Sequence, residues 1–383
     1  LLVSNPQNAV KGLWIILAGG FNNGMKGMGQ VLYYATPIIV TGLSVGFAFK
    51  TGLFNIGAAG QLIVGGFVAI LVGVTGDFLG PVQWLGALLC GMAAGALWGM
   101  VPGVFKALFN VNEVISSIMM NYIGMYGVNY LIRNLTVYNA ATGQNAYLVY
   151  DKLKNITVNV DKHAVIPAAG LNNIFYTLVG KYKDASSVNG GILIAVLLAL
   201  IVYVILNRTT FGYELKACGY NRSASRYAGI NERRSIVLSM AIAGALAGAA
   251  GGLMYLAPSQ GLHIRLEEVL SVQGFNGIPV ALLASSNPLG VIFSSLFISY
   301  IQVGGDALQP HFIKENIDII ISAIIYLSAF ALLIKGWIAK GFLRGSAANA
   351  NTELAVSGSA ESAVSEPDEP ADAENGKKEE GRA

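Results

Sequence analysis

Several polar side chains in this 383-residue sequence lie between long apolar stretches, where a hydrogen-bonding group needs a partner. The clearest example is KTGLFNIGAAGQ, residues 50–61, which places Asn55 and Gln61 among glycines. A second glycine-interrupted segment contains Gln273 and Asn276 shortly before a proline. Amide side chains both donate and accept hydrogen bonds. We therefore interpret these residues either as contacts for a polar solute or as hydrogen bonds that hold helices together.

Motifs of enzyme chemistry are absent from the sequence. No G-x-x-x-x-G-K-[ST] segment is present, so the chain has no phosphate-binding loop of its own, and no H-E-x-x-H segment is present. The histidines at 163, 263 and 311 are widely spaced, and we interpret them as surface residues rather than metal ligands. Cys90 and Cys218 are expected to be free thiols. We predict a protein that is not an enzyme and that has no cofactor or metal.

Long apolar runs determine the fold class. The sequence is 54% hydrophobic and 12% charged, whereas soluble domains carry about 25% charged residues. Runs of about 20 apolar residues are long enough to cross a bilayer. We predict an all-α polytopic membrane protein, in which the seventh span is a broken helix because it contains glycines and Pro279. The nine predicted spans are residues 31–49, 54–75, 82–105, 111–132, 190–206, 235–257, 266–284, 288–303 and 315–335.

Basic residues predict the orientation of these spans. The loop 207–234 contains six arginines and lysines, which places it on the cytoplasmic side, together with Lys50 and Lys106. Alternation then places residues 1–30, 75–81, 133–189 and 303–312 outside, together with the loop that contains His263. A chain that starts inside requires one more helix before residue 1, so we expect ten spans in total.

The cytoplasmic loop 207–235 is too long and too patterned for a simple turn. It is predicted to form two short helices, the second ending at Gly229. A basic loop of this kind either lies against anionic lipid or docks a cytoplasmic partner, and its mixed charge favours the partner. The residues that we expect to form this docking element are Gly212, Glu214, Gly219, Arg222, Arg226 and Gly229.

The chain divides by composition into a membrane domain, residues 1–345, and a C-terminal tail, residues 346–383. The tail carries nine acidic and three basic residues and hardly any large apolar side chain. Such a segment cannot bury enough apolar surface to fold, so we predict that it is disordered.

Five stretches together resemble a known family. They are GLFNIGAAGQ at 52–61, NEVISSIMMNYI at 112–123, TTFGYELKACGYNRSASRYAGIN at 209–231, AIAGALAGAAGG at 241–252 and GFNGIPVALLASSNPLG at 274–290. In this order and spacing they resemble the permease subunits of bacterial ABC importers for ribose, branched-chain amino acids and nucleosides. The first two stretches are most similar to the nucleoside branch. The resemblance extends from about Asn5 to Gly341.

The resemblance implies a type II-like importer permease with ten helices in inverted repeats, located in the bacterial cell membrane. It implies four kinds of partner: cytoplasmic ATP-binding subunits that dock on the 207–235 loop, a second homologous permease, an extracytoplasmic substrate-binding lipoprotein and a nucleoside. No nucleic-acid partner is expected. ATP hydrolysis is expected in a partner chain.

For an inverted-repeat transporter, paired broken segments mark the substrate path near the middle of the membrane. We therefore expect Phe54, Asn55, Gln61, Gln273 and Asn276 to line it. Permeases for simple sugars or branched-chain amino acids remain an alternative, as does a carrier that does not use ATP.

Overall fold

The computed structural model describes residues 9–21, 25–139, 144–147, 150–151, 156–157, 160, 162–171, 187–257 and 263–307, with single positions between 319 and 330. The predicted ninth span, residues 315–335, lies outside the described residues apart from those positions. The acidic tail, residues 346–383, lies outside them entirely.

Helices make up most of the described chain. Six stretches are long and apolar enough to cross a membrane: Gly27–Lys50, Ala58–Thr75, Asp77–Phe109, Gly191–Arg208, Glu232–Tyr255 and Pro288–Asp306. In chain order the helices are α1 (Ala9–Ala18), α2 (Met25–Lys50), α3 (Ala58–Thr75), α4 (Gln83–Phe109), α5 (Glu113–Asn134), α6 (Gly191–Arg208), α7 (Thr210–Tyr220), α8 (Arg222–Tyr227), α9 (Glu232–Tyr255), α10 (Val272–Leu283) and α11 (Pro288–Asp306).

Three of the predicted spans differ from the observed helices. The fourth is the 22-residue helix α5, which is long enough to cross but is not among the six apolar spans. The seventh is shorter than predicted, because residues 266–271 are not helical and α10 has only 12 residues. The second begins at Ala58 rather than at residue 54, because the preceding glycine-rich residues form turns. The short helix α1 was not predicted.

The segment 133–189, which is predicted to lie outside, contains four short strands among its described residues, whereas the membrane spans are helical as predicted. The strand β1 (Thr136–Asn139) pairs antiparallel with β2 (Gln144–Tyr147). The strand β3 (Tyr150–Asp151) pairs in the same way with β4 (Ile156–Thr157). Outside the bilayer a hairpin can leave its outer backbone groups to water, which a lipid-exposed sheet edge cannot do.

Glycines allow α9 to pack against α4 and α3 so closely that their backbone atoms are in contact. A Cβ atom added at Gly244 would overlap the carbonyl oxygen of Gly95, and one at Gly248 would overlap that of Gly91. On the α3 side, a Cβ atom at Gly65 would overlap the Cα atom of Gly248. The four-residue spacing of Gly244 and Gly248 places both glycines on the face of α9 that makes these contacts.

Loops that were predicted to lie on one side of the membrane meet in the structure. At the cytoplasmic end, the turn after Lys50 packs against α7, where Gly52 and Gly219 are in backbone contact. At the opposite end, the Ile166 amide donates to the Leu256 carbonyl at 2.9 Å. Which side of the membrane each of these loops faces stays a prediction.

Candidate functional site

Asn55 and Gln61 bind each other in the interior of the membrane domain. The Asn55 Nδ2 atom donates to Gln61 Oε1 at 2.8 Å, and Gln61 Nε2 donates back to Asn55 Oδ1 at 3.0 Å. Asn55 Nδ2 also donates to Ser44 Oγ at 3.1 Å, and that hydroxyl donates to the Ala243 carbonyl at 2.6 Å. The exposed fraction is 0% for Asn55 and 1% for Gln61. This amide pair links α2, α3 and α9 and satisfies its own hydrogen-bonding groups.

A third buried amide, Asn121 on α5, completes the support of this segment. Its Oδ1 atom accepts from the Gly60 amide at 2.8 Å, and its Nδ2 atom donates to the Ile56 carbonyl at 3.0 Å. Asn121 therefore satisfies backbone groups at the start of α3 that the helix leaves without partners. Sequence reasoning did not select this residue. The available signal was its position four residues after Ser117, which places both polar side chains on one face of α5.

Phe54 lies beside this network in the turn between α2 and α3. Its ring stacks on that of Phe49, with centroids 4.9 Å apart and planes at 8°. The side chain is half-buried. The contact fixes the turn against the end of α2.

Two glycines hold α10 between α2 and α3. A Cβ atom at Gly274 would overlap Ala59 of α3, and one at Gly277 would lie 2.7 Å from the Thr41 backbone of α2. The Thr41 hydroxyl also donates to the Gln273 carbonyl at 3.1 Å. These contacts fix the position and rotation of α10.

Gln273 and Asn276 lie three residues apart on α10, so both project from the same side of the helix. Each is half-buried. The Ser271 hydroxyl donates to Gln273 Oε1 at 3.1 Å. Within the part of the chain that the structure describes, neither α10 amide side chain is hydrogen-bonded to Asn55 or Gln61. The structure thus brings the predicted path residues together as two separate pairs.

A cavity of about 480 Å³ lies between α3, α5, α9 and the start of α10. We call it the outer cavity, because the loop 263–271 that borders it is on the predicted outside. Gln273 is the one predicted path residue among its lining residues. The described residues that line it are Ile63, Met125, Asn129, Met254, Tyr255, His263, Ile264, Arg265, Glu267, Val269, Leu270, Ser271, Val272 and Gln273.

The predicted cytoplasmic loop forms α7 and α8, as expected. Side-chain caps begin each helix: Thr209 Oγ1 accepts from the Gly212 amide at 3.0 Å, and Asn221 Oδ1 accepts from the Ala224 amide at 3.0 Å. Gly229, with φ of +80°, ends α8 in a Schellman motif. The two helices therefore have defined ends.

Three of the predicted docking residues line one groove of about 790 Å³ on the side that is predicted to be cytoplasmic. We call it the cytoplasmic groove. Arg222 is paired with Glu232 at 3.8 Å, and Lys106 with Glu113 at 2.8 Å, so both pairs join neighbouring elements. The described residues that line the cytoplasmic groove are Lys106, Ala107, Leu108, Asn110, Arg222, Ser223, Arg226, Gly229, Ile230, Asn231, Glu232 and Arg233.

The other three predicted docking residues lie apart from the cytoplasmic groove. Gly212 packs against the backbone of Ile205 at the corner between α6 and α7. Gly219 contacts the α2–α3 turn at Gly52, and Glu214 is exposed on α7. The two glycines have packing positions, and Glu214 is free to meet a partner.

Comparison with known proteins places this architecture in a family. The family model described as branched-chain amino acid transport system / permease component matches residues 27–329. No solved structure matches the chain.

Curated relatives match over most of their length. The guanosine ABC transporter permease protein NupP of Bacillus subtilis is 36% identical over 83% of this chain and 87% of its own. The nucleoside ABC transporter permease protein NupB of Lactococcus lactis is 32% identical over 88% of this chain and 87% of its own. The glucose ABC transporter permease protein TsgB13 of Haloferax volcanii is 30% identical over 75% of this chain and 71% of its own. The chain therefore belongs to the family of branched-chain amino acid transport system permease components.

Proposed function

We propose that this chain is the membrane-spanning translocation subunit of an ATP-driven importer for nucleosides in the bacterial cell membrane. The observation that carries the proposal is the 36% identity to a guanosine permease over 83% of the chain. A nucleoside permease at 32% identity over a similar range supports the same substrate class. The six apolar spans agree with a translocation role.

A second substrate class, simple sugars, is favoured by the relative that is named a glucose permease. The nucleoside relatives match a larger share of this chain, which is why we place nucleosides first. Transport assays with both classes decide between them.

The test is uptake by the assembled complex. The chain is reconstituted in proteoliposomes with its ATP-binding subunits, second permease and binding protein, and uptake of radiolabelled guanosine is measured with and without ATP. We expect ATP-dependent uptake that unlabelled adenosine, cytidine or guanosine reduces and that glucose, ribose or leucine does not. Uptake of glucose or leucine with no uptake of any nucleoside would overturn the assignment.

We further propose that the cytoplasmic groove and the adjacent α7–α8 element dock an ATP-binding subunit. The groove carries Arg226 and Arg233 as exposed cations, which suits an acidic partner surface. The caps at Thr209 and Asn221 fix the residues at which α7 and α8 begin, so the two helices can move as a rigid element when a partner binds. This interpretation accounts for a chain that has no phosphate-binding loop.

Charge reversal tests this docking surface. The double change Arg222→Glu and Arg226→Glu should reduce co-purification of the ATP-binding subunit at least tenfold, while membrane insertion is retained. Arg208→Glu is the matched control, because Arg208 is exposed at the end of α6 and does not line the groove. Equal loss in both variants, or no loss in either, would contradict the proposed docking site.

We propose different roles for the two amide pairs. Gln273 and Asn276 are half-buried and project from one side of α10, which suits contact with ribose hydroxyls or base edges. Asn55 and Gln61 are fully buried and satisfy each other, which supports the packing role. Phe54 supports the same turn. The extracytoplasmic lipoprotein and a second permease remain expected partners.

A further inference from the structure

The outer cavity combines an apolar wall with a polar mouth. Its wall includes Met125 and Met254, whereas its mouth includes Arg265 and Glu267 from the loop before α10. A volume of about 480 Å³ lies within the range of small-molecule sites, roughly 300–1,000 Å³. The cavity is therefore large enough for one small ring-containing solute.

The charges at the mouth oppose each other. Arg265 Nη1 lies 3.9 Å from Glu267 Oε1, and their side chains are 71% and 56% exposed. Such a pair adds no net charge to the cavity. A phosphate that approaches Arg265 also meets the carboxylate of Glu267, so the mouth disfavours anions. An uncharged solute can use the donors of the guanidinium and the acceptors of the carboxylate together.

The lining of the cavity also offers unused hydrogen-bonding groups. Gln273 Oε1 accepts from Ser271, and among the described residues its Nε2 atom has no partner. Asn129 Nδ2 donates to the Glu267 carbonyl at 3.1 Å, which holds the loop against α5 and leaves Asn129 Oδ1 for a ligand. Donors and acceptors thus adjoin the apolar wall of the cavity.

We propose that the outer cavity is a binding site for one uncharged nucleoside within a single permease subunit, where the solute rests before it passes along α10. This inference depends on the proposed nucleoside transport. The base would pack on Met125 and Met254, because the thioethers of methionine contact aromatic rings favourably. The Arg265 guanidinium can donate to an acceptor on the base, and the adjacent Glu267 carboxylate can accept from donors on the same edge. Guanine carries an acceptor next to donors on one edge.

Protection of an introduced cysteine tests the site. Ser271→Cys is made in a chain that carries Cys90→Ser and Cys218→Ser, and the assembled complex without binding protein is placed in nanodiscs. Modification by a membrane-impermeant methanethiosulfonate is followed with and without guanosine at millimolar concentration. We expect guanosine to slow modification at least threefold, and guanosine monophosphate to leave the rate unchanged.

Two further variants keep the test decisive. Val269→Cys, at an exposed rim position, repeats the measurement if Ser271→Cys fails to assemble. Asp77→Cys is the matched control, because it is exposed on the predicted outside and does not line the cavity. Its rate should not respond to guanosine. In the Ser271→Cys chain, Glu267→Gln removes the negative charge, and guanosine monophosphate should then protect.

Three results would overturn the inference. Unchanged modification at both rim positions, in a complex whose wild-type form imports guanosine, would place the solute elsewhere while the proposed function stands. Equal protection by guanosine and its monophosphate would refute the charge argument. In a parallel measurement with added empty binding protein, protection by that protein but not by guanosine would make this loop a protein-docking surface. Absence of all nucleoside import by the wild-type complex would instead refute the proposed function itself.

Discussion

Replacement of Asn55 by leucine should destabilise the membrane domain, because its buried partner then loses both hydrogen bonds. The variant leaves Gln61 Oε1 and Nε2 without partners, and each buried polar group without a partner costs about 1–3 kcal/mol. The expected loss is therefore about 2–6 kcal/mol. An independent lower bound agrees, since three lost hydrogen bonds at about 0.6 kcal/mol each in a membrane give roughly 2 kcal/mol.

Replacement of the other member of the pair, Gln61→Leu, should destabilise the membrane domain by less than Asn55→Leu does. It fully removes the partner of Asn55 Oδ1, whereas Asn55 Nδ2 keeps its bond to Ser44. We expect about 1–3 kcal/mol from this single group. The double variant Asn55→Leu with Gln61→Leu should be more stable than Asn55→Leu alone, because it leaves no amide without its partner.

Thermal unfolding of the purified complex in detergent measures these differences, and uptake is measured on the same variants. Asn276→Leu is the matched control, because Asn276 is a half-buried amide outside the pair. It should abolish uptake and leave the melting temperature within about a degree of the parent. The reasoning is refuted if Asn55→Leu melts like the parent and loses only uptake, because Asn55 would then contact the substrate.

The remaining predictions concern packing, backbone strain and the tail. Gly95→Ala should destabilise the domain by at least about 2 kcal/mol, because overpacking costs about 1–3 kcal/mol and the added Cβ atom would overlap the backbone of Gly244, which cannot move aside. Gly127→Ala, where nothing lies within 4 Å, should be neutral or stabilise α5, and melting temperatures distinguish the two. Ser285→Gly should raise the melting temperature, because Ser285 has φ of +50° and a left-handed non-glycine residue costs about 1 kcal/mol or more; a lower value would show that the hydroxyl is needed. Truncation after Gly345 should preserve uptake, and a large loss would contradict a solvated tail without a role in translocation.

The sequence was informative where a local pattern decides the structure. Apolar runs predicted six of the nine expected spans that the described residues contain, since crossing a bilayer depends on length and hydrophobicity. Gly229 marked the end of α8, because only a left-handed residue closes a Schellman motif without strain. The spacing of Gly244 and Gly248 marked a helix contact for the same local reason.

Features that depend on distant residues were missed. Asn121 supports Gly60, which is 61 positions away, and no local signal indicates that pairing. The sequence left Asn55 and Gln61 open between solute contact and helix packing, because a sequence does not show that two polar groups satisfy each other. The position of α10 depends on its contacts with Thr41 and Ala59, which also lie far away in the chain.

The glycine contact between α4 and α9 has a consequence for suppressor genetics. A methyl group added at Gly95 meets the backbone of Gly244, and no substitution makes glycine smaller. Because Gly244 has no side chain, a substitution there cannot relieve the clash with a side chain at position 95. Revertants of a Gly95 substitution should therefore restore glycine at position 95. The neighbouring contact differs, because a Cβ atom at Gly252 would lie 2.9 Å from Leu88 Cδ1. A smaller residue at position 88 can accommodate a side chain at position 252. Second-site suppressors are therefore expected for substitutions of Gly252 and not for substitutions of Gly95.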